Sequence, residues 1–136
     1  MRYSAIIEKD GSGFIAKFPD IPEALAGGET YEETIQEAQD ALITAFEFYF
    51  EDQRPVPEPS KTNTGEPIEV PLSVWTKVLL LNTMLEQGVS QSELARRMGT
   101  RRQEIQRIVD LHHTTKIDTL SQALQALDKR FSISIS

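Results

Sequence analysis

Residues 90–105 read Ser90-Gln91-Ser92-Glu93-Leu94-Ala95-Arg96-Arg97-Met98-Gly99-Thr100-Arg101-Arg102-Gln103-Glu104-Ile105. This stretch decides the fold of the second half of the chain. Ser90 with Glu93, and Thr100 with Gln103, have the spacing of helix-capping pairs, which predicts two short helices. Gly99 lies between them and is suited to end the first helix. The stretch therefore predicts a helix-turn-helix.

Apolar spacing on both sides extends this motif into an all-α domain over residues 72–130. We predict a helix over 72–87 and a last helix over about 118–129. The first has an apolar face of Val74, Val78, Leu81 and Leu85, which is widened by Trp75, Leu79 and Met84. The tail, residues 131–136, alternates apolar and polar residues. The tail could pair as a strand with the same tail of a second subunit, or it could be frayed, and the sequence does not decide between these alternatives.

The basic residues of the motif point to nucleic acid. Five arginines lie between positions 96 and 107 against one acid, Glu104. Two of them, Arg101 and Arg102, fall in a first helical turn, where a cation opposes the helix dipole by about 0.3–1 kcal/mol. Cations placed against the helix dipole with no gain in stability indicate that these residues are there for function. The bland alternative is that these arginines form a solvated face.

We therefore predict contacts to double-stranded DNA, because the first turn of the second helix of such motifs enters the major groove. Arginine reads guanine edges and glutamine reads adenine. Base reading is assigned to Arg101, Arg102, Gln103 and Gln106. Phosphate contacts are assigned to Gln91, Arg107 and Lys116.

The order Ser-Gln, Leu-Ala, Gly and Ile in this stretch also resembles the Cro/repressor type of helix-turn-helix. One such unit covers little DNA. We expect a homodimer or higher homo-oligomer whose recognition helices sit about 34–36 Å apart on a pseudo-palindromic operator.

The first seventy residues have a different pattern. β-prone residues 3–9 and 14–18 flank a glycine-containing turn and predict a hairpin, with a short third strand at 23–26. Thr30 and Glu33 form a capping pair, and apolar residues then recur every three or four positions, predicting a helix over about 31–51. Three alternating prolines make 55–66 a stiff strap or loop. A strand at 67–71 completes a ββ(β)αβ domain over 1–54 plus that strand.

Composition excludes several classes of protein. The chain has 136 residues, 39% of them hydrophobic and 26% charged, which suits a globular α+β protein. It contains no cysteine, so disulfide scaffolds and thiolate metal sites are excluded. No apolar run approaches the ~20 residues of a membrane span and no signal layout is present, so a cytoplasmic protein with no membrane partner is expected.

Charge divides the chain into two unlike halves. Residues 1–70 carry five basic and fifteen acidic residues, a net of −10, whereas residues 71–136 carry nine basic and six acidic residues, a net of +3. Such asymmetry indicates two modules with partners of opposite sign. The alternative is that the division of charge arose by chance and that the acidic residues only improve solubility.

The first module resembles the HicB antitoxin family. The resemblance rests on three stretches, Phe18-Pro19-Asp20-Ile21-Pro22, Gly28-Glu29-Thr30 with Glu33, and Ala38-Gln39-Asp40-Ala41-Leu42. The chain departs from the family pattern at Glu23, where glycine is usual, and at Thr34, where alanine is usual. The first departure bears on the shape of residues 22–26.

The resemblance implies a truncated RNase H-like first domain and, for the subset with a helix-turn-helix, an antitoxin that represses its own operon. The implied partner is a HicA-type toxin, a small basic mRNA-cleaving protein that the acidic domain would mask. From charge and position alone we choose five acids as candidate toxin contacts: Glu8, Asp10, Glu51, Asp52 and Glu58.

Two other functions compete with this one. A stand-alone transcriptional repressor whose first domain senses a ligand or another protein is the runner-up. A metal-dependent nuclease is the more distant alternative, because such an enzyme needs several carboxylates converging on magnesium and none can be placed. We therefore expect no catalytic residues, no metal and no cofactor.

Overall fold

The computed structural model describes residues 1–61 and 64–136 and divides the chain into two compact units, Met1–Leu72 and Ser73–Ser136. Thr62 and Asn63, in the predicted strap, lie outside the described residues. The architecture is mixed α+β, a four-stranded antiparallel sheet with one helix followed by four further helices.

The sheet of the first unit is built from four strands in the order β3-β2-β1-β4, each antiparallel to its neighbour. The strands are β1 (Arg2–Asp10), β2 (Gly13–Lys17), β3 (Leu25–Gly28) and β4 (Glu66–Glu69). The predicted hairpin is present, with Gly11 at φ +61° in its turn. The third strand begins two residues later than predicted because a turn continues through Ala24, whose N–H donates to Ile21 O at 3.0 Å.

Helix α1 (Tyr31–Glu51) covers one face of this sheet. Its buried stripe of Leu42 and Phe46 packs on Tyr3 of β1, whose ring centroid lies 5.6 Å from that of Phe46. Close packing at the other end requires Gly28, because a Cβ there would lie 2.9 Å from the backbone nitrogen of Thr34. The chain between α1 and β4 crosses the unit as a strap without helix or strand over 54–60 and buries Val56.

Four helices form the second unit: α2 (Leu72–Gln87), α3 (Gln91–Met98), α4 (Arg102–Val109) and α5 (Ile117–Gln125). Their shared core includes Leu80, Leu94, Ile105, Leu120 and Leu127, which are at most 1% exposed. Helix α5 ends four residues before the predicted boundary, because the chain turns at Asp128, where φ is +58°. The tail after Phe131 forms no strand, and Ile135 is 99% exposed.

The predicted apolar face of α2 was partly wrong. Leu81 and Leu85 are only partly buried, whereas Met84 is buried as predicted; Leu80 and Lys77, which the prediction left off this face, are both 0% exposed. An amphipathic pattern identifies one inward stripe, but α2 is buried over much of its circumference, so several of its residues outside that stripe are also enclosed.

None of the helices in the described residues has the length and apolar character needed to cross a membrane.

Candidate nucleic-acid interface and acidic surface

Ser90 caps the start of α3, as predicted. Glu93, the other member of the predicted capping pair, binds two arginines instead. Ser90 Oγ accepts from the N–H of Glu93 at 3.1 Å. The Glu93 carboxylate accepts from Arg96 at 2.5 and 2.8 Å and from Arg97 at 3.0 Å. These hydrogen bonds, from Arg96 first, lower the pKa of Glu93 to about 2. Two of the five arginines are therefore paired with an acid that the local charge count left out.

The turn between α3 and α4 differs from the prediction in one respect. Gly99 ends α3 with φ +66°, and the N–H of Thr100 donates to Ala95 O at 3.0 Å, closing the helix end. Thr100 as the cap of α4 was therefore wrong, because its backbone completes the preceding helix. Arg101 is the N-cap residue of α4 and supplies no side-chain cap hydrogen bond.

Helix α4 has one buried and one solvent-facing side. Ile105 and Ile108 are buried, and the helical repeat of 3.6 residues places Gln103, Gln106 and Arg107 on the opposite side. All three are exposed. The four residues assigned to base reading thus form the exposed start and outer face of α4.

Arg101 and Arg102 precede this face and are exposed. Within the part of the chain that the structure describes, neither forms an ion pair. Arg107 lies 3.8 Å from Glu104 and keeps 68% of its side chain exposed. The structure therefore leaves all three guanidinium groups accessible to a ligand.

The two remaining arginines have contacts inside their own unit. Arg97 binds Glu93 and also donates to the carbonyl of Ala126 at 3.3 Å, so it links α3 to the end of α5. Arg96 binds Glu93 on the surface of α3. Arg96 and Arg97 are therefore bonded within the unit, whereas Arg101, Arg102 and Arg107 are accessible to a ligand.

The C-terminal end of α4 is held by a residue that the sequence analysis missed. The Lys77 ammonium, on α2, donates to the backbone carbonyls of Arg107 (3.3 Å), Asp110 (2.7 Å) and His113. Burial lowers the pKa of Lys77, and the charge of Asp110 opposes that shift. Carbonyl groups at a helix end attract a cation, so Lys77 fixes the end of α4 and the loop after it.

The predicted phosphate ligands occupy two places. Arg107 and Lys116 line one open groove of about 350 Å³ together with His113 and Thr115. Lys116 is the N-cap residue of α5, and the hydroxyl of Thr115 is buried without a hydrogen-bond partner in the described residues. Gln91 lies apart from them, as the first residue of α3.

The five acids chosen as toxin contacts are exposed and fall into two groups. Glu8 and Asp10 end β1 near the hairpin turn, the end at which Phe14 meets Tyr31 at the start of α1. Three acids belong to the opposite end of α1: Glu51, Asp52, and Glu58 on the strap beside Pro57, whose carbonyl accepts from the Tyr3 hydroxyl at 2.5 Å. The fold does not gather all five into one patch.

Glu23, the departure from the family pattern, has a defined structural role. Its carboxylate accepts from the Tyr49 hydroxyl at 2.6 Å and from Arg54 at 3.1 Å, and the Arg54 guanidinium lies 4.2 Å from the centre of the Tyr49 ring. The bond from Tyr49, followed by the contact with Arg54, lowers the pKa of Glu23. This network ties the segment before β3 to the end of α1, and no local sequence signal indicates it.

In the described residues no group of three or more acidic or histidine side chains is arranged to hold a metal ion. Two carboxylates of the segment before β3 are bonded within the chain: Asp20 accepts from the backbone N–H of Ser60 at 2.9 Å, and Glu23 accepts from Tyr49 and Arg54.

Comparison with known proteins identifies relatives of the whole chain. A model described as HicB-like antitoxin of bacterial toxin–antitoxin systems matches residues 2–79. Antitoxin HicB 2 of Photorhabdus laumondii is 58% identical over 98% of this chain and 95% of its own. Antitoxin HicB of Escherichia coli K12 is 53% identical over 89% and 88%, and that of Pseudomonas fluorescens is 38% identical over 94% and 88%. Their names describe antitoxins, in agreement with the expectation of a protein that is not an enzyme.

Proposed function

Because the chain belongs to the HicB-like antitoxin family of bacterial toxin–antitoxin systems, we propose that it neutralises a HicA-type toxin with its acidic first unit and represses its own operon with its helical second unit. The proposal assigns the two units partners of opposite charge: a basic RNA-cleaving protein and double-stranded operator DNA.

The DNA-binding role is supported mainly by the accessible start of α4. Arg101 and Arg102 are exposed and are not ion-paired within the described residues, and Gln103, Gln106 and Arg107 share the outer face of the helix that follows. Guanidinium and amide groups at the start of an exposed helix are suited to reading base edges in the major groove. Arg107 and Lys116, in one groove, supply charge for the adjacent phosphates.

The toxin-binding role is supported by the charge of the first unit. A net of −10 over residues 1–70 attracts a basic partner and raises its association rate. Because the five candidate acids lie at two ends of α1, we assign them to steering the encounter. Increasing salt is therefore expected to slow association more than it speeds dissociation.

A two-fold dimer fits the proposed operator binding, because a helical unit of this size presents a single α4. The exposed tail after Phe131, with Ile133 and Ile135, has the alternation of a strand that pairs between subunits. Sedimentation of the free chain measures this directly. A monomer that footprints one asymmetric half-site would contradict the dimer.

The experiment that tests the function is co-purification with the product of the adjacent gene, followed by a gel shift on the DNA upstream of both genes. We expect a stable complex with a short, basic, histidine-containing protein, loss of its mRNA cleavage, and a shift of the upstream fragment. DNA binding without any toxin partner would instead favour a stand-alone repressor.

A further inference from the structure

The first unit has a free strand edge beside an acidic groove. β3 is the last strand of the sheet, and among the described residues no strand pairs with its outer side. Leu25, Ala26 and Gly27 form one wall of the groove, and the other wall is the α1 surface from Glu37 to Phe48. An open edge with unpaired backbone groups is a template for an added strand.

Apart from its short length of four residues, β3 lacks the features that usually protect an edge strand. β3 has the sequence Leu-Ala-Gly-Gly, with no charge, proline or bulky side chain on its last three residues. Leu25 is 63% exposed on the sheet face away from α1, beside Lys17 and Ile6, and Phe48 is 53% exposed in the groove, so each face of this edge carries one large apolar side chain. A strand placed here would bury both side chains and pair the backbone of β3.

The dimensions of the groove fit a short strand. Glu37 and Phe48 are eleven residues apart on α1. A rise of about 1.5 Å per residue separates them by roughly 16 Å, the length of about five residues of extended chain. Ala41 and Ala45 between them are small, which leaves room for side chains of the incoming strand.

The charges of the groove discriminate between possible occupants. Glu37 and Asp40 are exposed at one end, whereas the carboxylate of Glu23 at the other end is paired with Arg54. A second copy would bring a first unit with the same net charge of −10 over residues 1–70 against these acids, and like charges disfavour that contact. A basic strand would be attracted to the acidic groove, whereas a second copy of this acidic unit would be repelled from it.

We propose that the groove between β3 and α1 is the docking site for an extended segment of the basic toxin, which adds a fifth strand at β3. This inference rests on the proposed function and names the surface that performs it. The docked segment places basic side chains opposite Glu37 and Asp40 and an apolar side chain against Phe48, and its backbone pairs with residues 25–28.

Hydrogen exchange of the full chain, alone and in its purified complex, tests the added strand. The backbone amides of residues 25–28 that point away from β2 should exchange at least tenfold more slowly in the complex, because they gain acceptors. Unchanged exchange at these residues in a complex that forms normally would overturn the proposal and leave the antitoxin function intact. Absence of any complex would instead count against the proposed function.

Phe48→Ser tests the docking surface, with Ile6→Thr as its matched control, because Ile6 is also an exposed apolar residue of this unit, at 43%, and lies outside the groove. We expect Phe48→Ser to speed toxin dissociation by about tenfold or more and Ile6→Thr to leave it nearly unchanged. Equal effects of the two changes would overturn the proposal.

Two double charge reversals on the same unit complete the test. Glu37→Lys with Asp40→Lys should weaken toxin binding by about tenfold or more, whereas Glu51→Lys with Glu58→Lys, the same change in net charge, should mainly slow association. Equal dissociation rates for the two variants, or dimerisation lost in place of toxin binding, would contradict a toxin groove.

Discussion

Arg101 and Arg102 differ from Arg96 and Arg97 in what their side chains contact. The first two are exposed and are not ion-paired within the described residues, whereas the second two share the carboxylate of Glu93. From the sequence alone, all four arginines were expected on one basic surface. Only the fold separates those bonded internally from those available to a ligand.

Arg102→Ala is predicted to weaken operator binding by about 1–3 kcal/mol, and to relax the base preference at a single position, because a base contact is lost. Binding titrations against a panel of operator variants measure this. Arg96→Ala is the control, since its guanidinium is engaged by Glu93. A loss spread evenly over all sequences would make Arg102 a phosphate contact.

Lys77→Met is predicted to lower the free energy of unfolding of the helical unit by about 1–3 kcal/mol, because three backbone carbonyls lose their donor. Trp75, the chain's one tryptophan, lies beside it on α2 and reports unfolding by fluorescence. We also expect weaker operator binding at temperatures at which the variant is fully folded, because the end of α4 is no longer held.

Lys77→Arg keeps a cation and serves as the matched control, expected to retain more of the operator binding. Normal operator binding by folded Lys77→Met would contradict a positioning role. No sequence pattern indicates the role of Lys77, because a lysine within an apolar helix is ordinarily assigned to the polar face. Its role depends on the loop at 110–113, which is distant in sequence.

The pH dependence of α3 follows from Glu93. Its pKa falls from 4.5 to about 2 in the folded chain, so the folded state favours the carboxylate. The corresponding stability is present above about pH 4.5 and is lost as the pH falls toward 2. Acid titration monitored by Trp75 fluorescence should show a flatter pH dependence for Glu93→Gln. Identical profiles would contradict the pairing.

At the scale of elements, glycine and capping signals predicted the α3–α4 pair well. Ser90 and Gly99 have the predicted roles because each acts through its own backbone neighbourhood. The start of α4 could not be predicted equally well, since the closure of α3 uses the N–H of Thr100. The sheet followed from local strand patterns, whereas β3 starts later than predicted because the turn before it continues through Ala24.

Gly99→Ala is predicted to destabilise the helical unit by about 1–2 kcal/mol, since an alanine at φ +66° is strained although no atom lies within 4 Å of its Cβ. Thermal unfolding measures the effect, and Gly99→Asn should cost less. A loss well above this range would show a steric clash in place of backbone strain.

At the scale of the whole chain, the sequence composition distinguishes an acidic unit from a basic one, but it does not identify which residues contact a partner. The charge division at about residue 70 lies close to the boundary between the compact units at Leu72. The groove beside β3 could not be foreseen, because it depends on the strand order and on how α1 packs beside β3.

We propose that this one chain carries two separable binding surfaces. The most direct measurement uses Arg101→Ala with Arg102→Ala in the full chain and follows operator binding and toxin neutralisation in parallel. We predict operator binding at least tenfold weaker, with mRNA cleavage by the toxin still fully inhibited. Loss of both activities in a folded variant, or loss of neither, would contradict the account.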